Sequence, residues 1–174
     1  PAPAGLVYNE SPDLESVLEA IDLGFSLVMF SDETLDPAAQ RERVCRVVEV
    51  AHDRGVAVEG EVRALANVGG SLSGNDHDAR LTGPGEAAAF VEKTGVDALA
   101  VNLGQMHLHG RRALPLDLAR LDQLAERVKV PLVLHGASSI RRDDLCAAID
   151  LGVRKINVGS LLKQVYFGAL RQAI

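Results

Sequence analysis

Short apolar runs alternate with amphipathic stretches of near-3.6 period along almost the whole chain. Leu6, Val7 and Tyr8 form a first strand-like run. Ser11 then stands where it can cap a helix, Pro12 suits the first helical position, and Asp13 and Glu15 favour the positive end of the helix dipole. That helix carries Leu14, Val17, Leu18, Ile21 and Leu23 on its apolar side and stops at Gly24. A strand is predicted over 26–30, a helix opened by Asp36 and Pro37 and closed by Gly55, and a strand over 56–62. From 63 to 83 the pattern dissolves into Gly, Ser, Asn and Asp. A structureless stretch of about 20 residues inside a compact domain is uncommon and is usually functional or disordered; it reads as an insertion between a strand and its helix at the active edge. The alternation then resumes, with helix over 84–94, strand over 97–103, helix over 116–128 and strand over 130–134. Helix over 141–151, strand over 155–158 and helix over 161–173 complete the chain.

Regular strand–helix order places consecutive strands parallel in one sheet. Two of the runs end on histidine: His107 follows Ala98 to Leu103, and His135 follows Leu132-Val133-Leu134. Both therefore belong at the carboxyl edge of the sheet, where α/β sheets and barrels place their chemistry. Neutral imidazole is the commonest metal ligand, so a shared cation is the expectation. The count is six strand–helix units, whereas a closed barrel has eight. Either units are missing or the sheet is open.

Composition narrows the picture further. With 47% apolar and 3% aromatic residues in 174, Ala, Val and Leu must fill the core, as suits strands covered on both faces. A net charge of −6 argues against a broad nucleic-acid or anionic-membrane footprint and leaves room for a local phosphate pocket. Cys45 and Cys146 lie far apart in helical patterns and read as buried small apolar residues of a reducing compartment. No apolar run approaches the about 20 residues of a membrane span, and the first residues lack signal-peptide features. The chain reads as cytoplasmic.

Several segments resemble a known family. Leu132-Val133-Leu134-His135-Gly136-Ala137-Ser138-Ser139, followed by Ile149-Asp150-Leu151-Gly152-Val153-Arg154-Lys155-Ile156-Asn157-Val158, is similar to the metal-dependent class II fructose-bisphosphate and tagatose-bisphosphate aldolases. Glu19-Ala20-Ile21-Asp22-Leu23-Gly24-Phe25 and Thr94-Gly95-Val96-Asp97-Ala98-Leu99-Ala100-Val101 carry the same resemblance. It implies a TIM (β/α) barrel, here truncated to about six units that correspond to the family's third to eighth. It also implies a divalent metal, usually zinc, that polarises a ketose carbonyl and stabilises the enediolate formed on carbon–carbon cleavage. On the matching positions His107 and His135 are metal ligands, Glu10 stands where the family has a third histidine, and Glu61 is a further metal contact. Asn9 occupies the place of the family's proton-transferring aspartate, and a neutral amide takes up no proton. Asp76 and Asp78, beyond Gly69-Gly70, are the carboxylates a loop can bring in instead. Phosphate recognition falls to Gly136, Ser138 and Ser139 after one strand and to Asn157, Gly159 and Ser160 after the next, with Arg111 near a family phosphate-binding lysine.

Each residue also has a plainer role. His107 and His135 can be rim histidines bonded to backbone, Glu61 can pair with Arg63 or Arg111, and Glu10 can be a solvated helix-start carboxylate. His109 competes with His107 in poorer register, His77 reads as a solvated loop residue, and His52 suits a helix C-terminus. Lys155, at the start of its predicted strand, lies at the wrong end for a Schiff base. The expected function is a lyase cleaving a phosphorylated ketose to dihydroxyacetone phosphate and an aldehyde; the alternatives are a catalytically impaired sugar-phosphate-binding homologue or an aldolase on another substrate. Open strand edges predict a homo-oligomer or a longer polypeptide.

Overall fold

Six short strands are each followed by a helix, and the apolar stripes of the first five helices cover the sheet. The computed structural model describes residues 3–62, 81–105 and 114–173. In chain order the elements are β1 (Val7–Ser11), α1 (Leu14–Asp22), β2 (Leu27–Phe30), α2 (Pro37–Asp53), β3 (Ala57–Glu61) and α3 (Pro84–Thr94). They continue with β4 (Ala98–Ala100), α4 (Leu118–Arg127), β5 (Leu132–Leu134), a 3-10 turn (Ala137–Ser139), α5 (Arg142–Asp150), β6 (Val153–Ile156) and α6 (Ser160–Ala173). All neighbouring strands are parallel, and their spatial order is their sequence order, β1 through β6. The order never reverses, so no doubly-wound switch point exists among the described strands; the sheet is the arc of a (β/α) barrel. It curls enough that a β1 side chain touches one just beyond β5.

Period-two alternation divides the sheet into two faces. Val28, Phe30, Val58, Leu99, Leu132 and Leu134 pack outward against helix residues such as Val17, Val47, Phe90 and Leu121. Met29, Ala100 and Val133 form a small inner cluster, and the positions in register beyond them carry charge. Gly60 lets the outer face close. A Cβ there would lie 2.7 Å from the Phe90 ring and 3.0 Å from Val96, so only glycine lets α3 approach β3 this tightly. Leaning on that packing, β3 presents Glu59 and Glu61 inward.

Four local readings need correction. β1 runs on through Ser11, so Ser11 is not the cap of α1 and Pro12 is not its first residue; Asp13 precedes the helix instead. The strand predicted over 155–158 is β6, two residues earlier, and Val158 is exposed. Cys146 is exposed and Cys45 only partly covered; both are free. Asp36, by contrast, caps α2 as expected, accepting from the Ala38 and Ala39 amides at 2.8 and 3.0 Å. No residue of α6 is buried, and Leu161, Leu162, Val165, Tyr166, Phe167 and Leu170 all face outward from it. Among the described residues, no helix is long and apolar enough to cross a membrane.

Candidate active site

β5 points Leu132 and Leu134 at the helices, so Val133 and then His135 fall on the inner face. The His135 side chain is 3% exposed and has a carboxylate at each nitrogen. Nδ1–H donates to Glu10 Oε1 at 2.8 Å, and Nε2–H donates to Glu59 Oε1 at 2.6 Å. Carboxylates only accept, so both ring nitrogens carry protons in this state. Burial alone would lower the pKa of this imidazole; the hydrogen bonds and charges of Glu10 and Glu59 outweigh it and raise the value from 6.5 to about 9.

Glu10 reaches His135 because β1 is bulged. Tyr8 pairs with Val28 and Ser11 with Phe30, so β1 advances one residue more than β2 between the two pairs. Glu10 has φ of 50°, the positive-φ non-glycine residue of the described chain. A strained backbone at one residue, beside a histidine, is a pattern of functional sites. The bulge lets Asn9 and Glu10, adjacent in sequence, both turn to the inner face.

Glu59 is completely buried. Its Oε2 makes no well-aligned hydrogen bond among the described residues, and the Lys155 ammonium 2.8 Å away compensates its charge. Burial would raise the Glu59 pKa, but the His135 and Lys155 cations beside it hold the carboxyl below its ordinary value. Lys155 Nζ also donates to Asn157 Oδ1 at 2.7 Å, Asn157 Nδ2 donates to Asn9 Oδ1 at 3.4 Å, and Asn9 Nδ2 donates to Glu10 Oε2 at 3.0 Å. The contacts close on themselves: Glu10, His135, Glu59, Lys155, Asn157 and Asn9 form a ring on the inner face. Glu61 lies beside it and accepts a hydrogen bond from the Ser31 hydroxyl. Burial, and the neighbouring charge of Glu10, push its carboxyl up.

The turn after β5 forms the adjoining edge. Gly136 has φ of 63°, a left-handed conformation that glycine adopts without penalty. Ser139 is buried, and its hydroxyl donates to the Gly136 carbonyl at 2.8 Å, so that side chain serves the turn itself. Ser138 Oγ accepts from the Leu161 amide at 3.1 Å, tying this turn to the start of α6 where Gly159 and Ser160 lie. The Ala137 amide donates to the Asn157 carbonyl at 3.3 Å, which holds the two phosphate-candidate turns side by side.

Of the residues singled out in the sequence, Asn9, Glu10, His135 and Asn157 meet in the ring and Glu61 flanks it. Gly136, Ser138, Ser139, Gly159 and Ser160 share the neighbouring edge. His107, Asp76, Asp78 and Arg111, with His77 and His109, lie outside the described residues. Among the described residues, no three His, Cys, Asp or Glu side chains group into a metal cluster. Glu59 and Lys155 were missed as site residues. Lys155 does not lie at the wrong end of its strand: it is the third residue of β6 and points to the inner face. Their signal was the period-two spacing Glu59-x-Glu61 and Lys155-x-Asn157, which puts each beside a recognised residue.

The family model described as Fructose-bisphosphate aldolase class-II matches residues 10–174. The YdjI aldolase from Escherichia coli K12 is 29% identical with a TM-score of 0.80, over 95% of this chain and 57% of that one. A putative fructose-1,6-biphosphate aldolase from Coccidioides immitis is 29% identical with a TM-score of 0.82, over 99% and 62%. The fructose-bisphosphate aldolase of Campylobacter jejuni, at 21% identity and a TM-score of 0.75 over 98% and 56%, shares the fold. The chain thus spans 56–62% of the length of these solved structures. The chain belongs to the class II fructose-bisphosphate aldolase family.

Proposed function

We propose that this chain carries the cation- and phosphate-binding part of a metal-dependent aldolase, a lyase that reversibly cleaves a phosphorylated ketose such as fructose or tagatose bisphosphate into dihydroxyacetone phosphate and an aldehyde. The observation that supports it most is the contact of Glu10 Oε1 with His135 Nδ1 at 2.8 Å, an oxygen and a nitrogen donor converging on the inner face. Family members generally depend on a divalent metal. The donor chemistry fits one: imidazole nitrogen with carboxylate oxygen suits zinc and similar borderline cations. In this reading His135 and Glu10 hold the cation together with His107, and Glu61 is an additional contact. When bound, such a cation acts as a Lewis acid toward the ketose carbonyl.

The chain's own residues supply the rest. Asn157, fixed by Lys155 and Asn9, presents its amide to substrate at the site floor. Gly136 and Ser138 in the turn after β5, with Gly159 and Ser160 at the start of α6, offer amides and hydroxyls where the helix dipole favours a phosphoryl group, and Arg111 adds positive charge. Proton transfer is assigned to Asp76 or Asp78, because Asn9 has no titrating group. A second protomer seated on the apolar residues of α6 completes the proposal.

A coupled cleavage assay with fructose and tagatose bisphosphates tests it, run with zinc, cobalt or manganese and with chelator. Turnover abolished by chelation and restored by metal is expected. A second reading, a sugar-phosphate-binding homologue without turnover, is favoured by Asn9, and binding of either bisphosphate with no cleavage under any metal would establish it.

A further inference from the structure

A fully buried carboxylate is costly unless its partners are well placed, and Glu59 belongs neither to the ligand set nor to the phosphate edge. What it touches assigns it a task. Oε1 receives the Nε2–H of His135 at 2.6 Å, and Oε2 faces the Lys155 ammonium at 2.8 Å. Both oxygens are engaged, so Glu59 has none to offer a cation. Its backbone is fixed from behind by the Gly60 contact with Phe90. Turning the ring over to present Nε2 elsewhere would strip Oε1 of its hydrogen bond in a place without solvent. The other nitrogen, Nδ1, is the one that faces Glu10.

We infer that Glu59, itself clamped by Lys155, is a positioning residue that locks His135 so that Nδ1 is its metal-binding nitrogen. This rests on the reading that His135 binds a divalent cation. A carboxylate behind a ligating imidazole fixes its tautomer and raises its donor strength, and losing such a partner weakens metal affinity about 10- to 100-fold.

The test uses the whole chain, labelled with 15N at histidine and loaded with 113Cd as the probe. Coupling between cadmium and His135 Nδ1, with Nε2 still carrying its proton, is expected; coupling to Nε2 overturns the inference. This readout needs no variant, so it stands even where substitutions disturb folding. Zinc affinity by competition with a chromogenic chelator adds a second arm: Glu59→Gln is expected about 10-fold weaker and Glu59→Ala about 100-fold weaker than the unaltered chain. Unchanged affinity in both variants also overturns the inference while leaving the metal reading intact. Failure of the unaltered chain to bind cadmium or zinc, or binding indifferent to His135→Ala, removes the metal reading itself.

Discussion

Glu10 and His135 stand 125 residues apart in sequence, yet their side chains meet at 2.8 Å on the inner face of the sheet. Only a curled arc brings β1 and the end of β5 this close. The contact joins the strained backbone of Glu10 to an imidazole held from its other side by Glu59.

That contact has a pH signature in the metal-free chain. The folded-state pKa of His135 is raised from 6.5 to about 9, so the folded state binds this proton more tightly than the unfolded state. The stabilisation is fully present below pH 6.5 and is lost as pH rises through about 9; it amounts to about 3 kcal/mol. Glu59, lowered from 4.5, acts in the opposite direction: its contribution is present above 4.5 and lost as pH falls through its folded value. Urea midpoints measured in chelator should therefore peak between these limits and decline on the alkaline side. His135→Gln should flatten the alkaline decline.

The backbone at Glu10 can be separated from its side chain. A non-glycine residue at positive φ costs about 1–2 kcal/mol. Glu10→Gly and Glu10→Ala both delete the carboxylate, but only glycine relieves the strain at φ of 50°. Glu10→Gly should be more stable than Glu10→Ala by about 1 kcal/mol in urea unfolding, while both lose metal affinity alike. Equal stabilities would contradict the strained bulge.

Gly60→Ala should destabilise the chain by about 1–3 kcal/mol, because the added methyl overpacks Phe90 and Val96. Phe90→Leu in the same background should recover part of the loss, as read from paired denaturation curves.

The exposed apolar side chains of α6 should make the chain self-associate. Light scattering is expected to show mass rising with concentration, and Leu162→Lys with Tyr166→Lys should reduce it. A monomer at every concentration would rule out a second copy on this face.

The helix stripes, the parallel strand order and the place of His135 at the carboxyl end of its strand were legible because outer-face positions follow an apolar alternation and Gly24, Gly55 and Asp36 punctuate it. The inner face was harder. At β6 a strand was expected over 155–158, whereas it spans Val153–Ile156, and a register irregularity between the Leu132 and Val133 pairings leaves Val153 buried outward and Lys155 inward beside Glu59. A charged residue whose partner lies on a distant strand gives no local signal. The bulge at Glu10 was invisible for a related reason: one extra residue changes which side chains face inward without changing composition. Cys146 lies on an uncovered side of α5, where helical spacing alone cannot distinguish exposure from burial.

Calorimetric titration of zinc into the metal-free chain tests the shared hold of Glu10 and His135 on a cation most directly. One equivalent should bind per chain, with affinity reduced at least tenfold by Glu10→Ala and abolished by His135→Ala. Saturable binding that survives both substitutions unchanged, or no binding at all, would contradict the account.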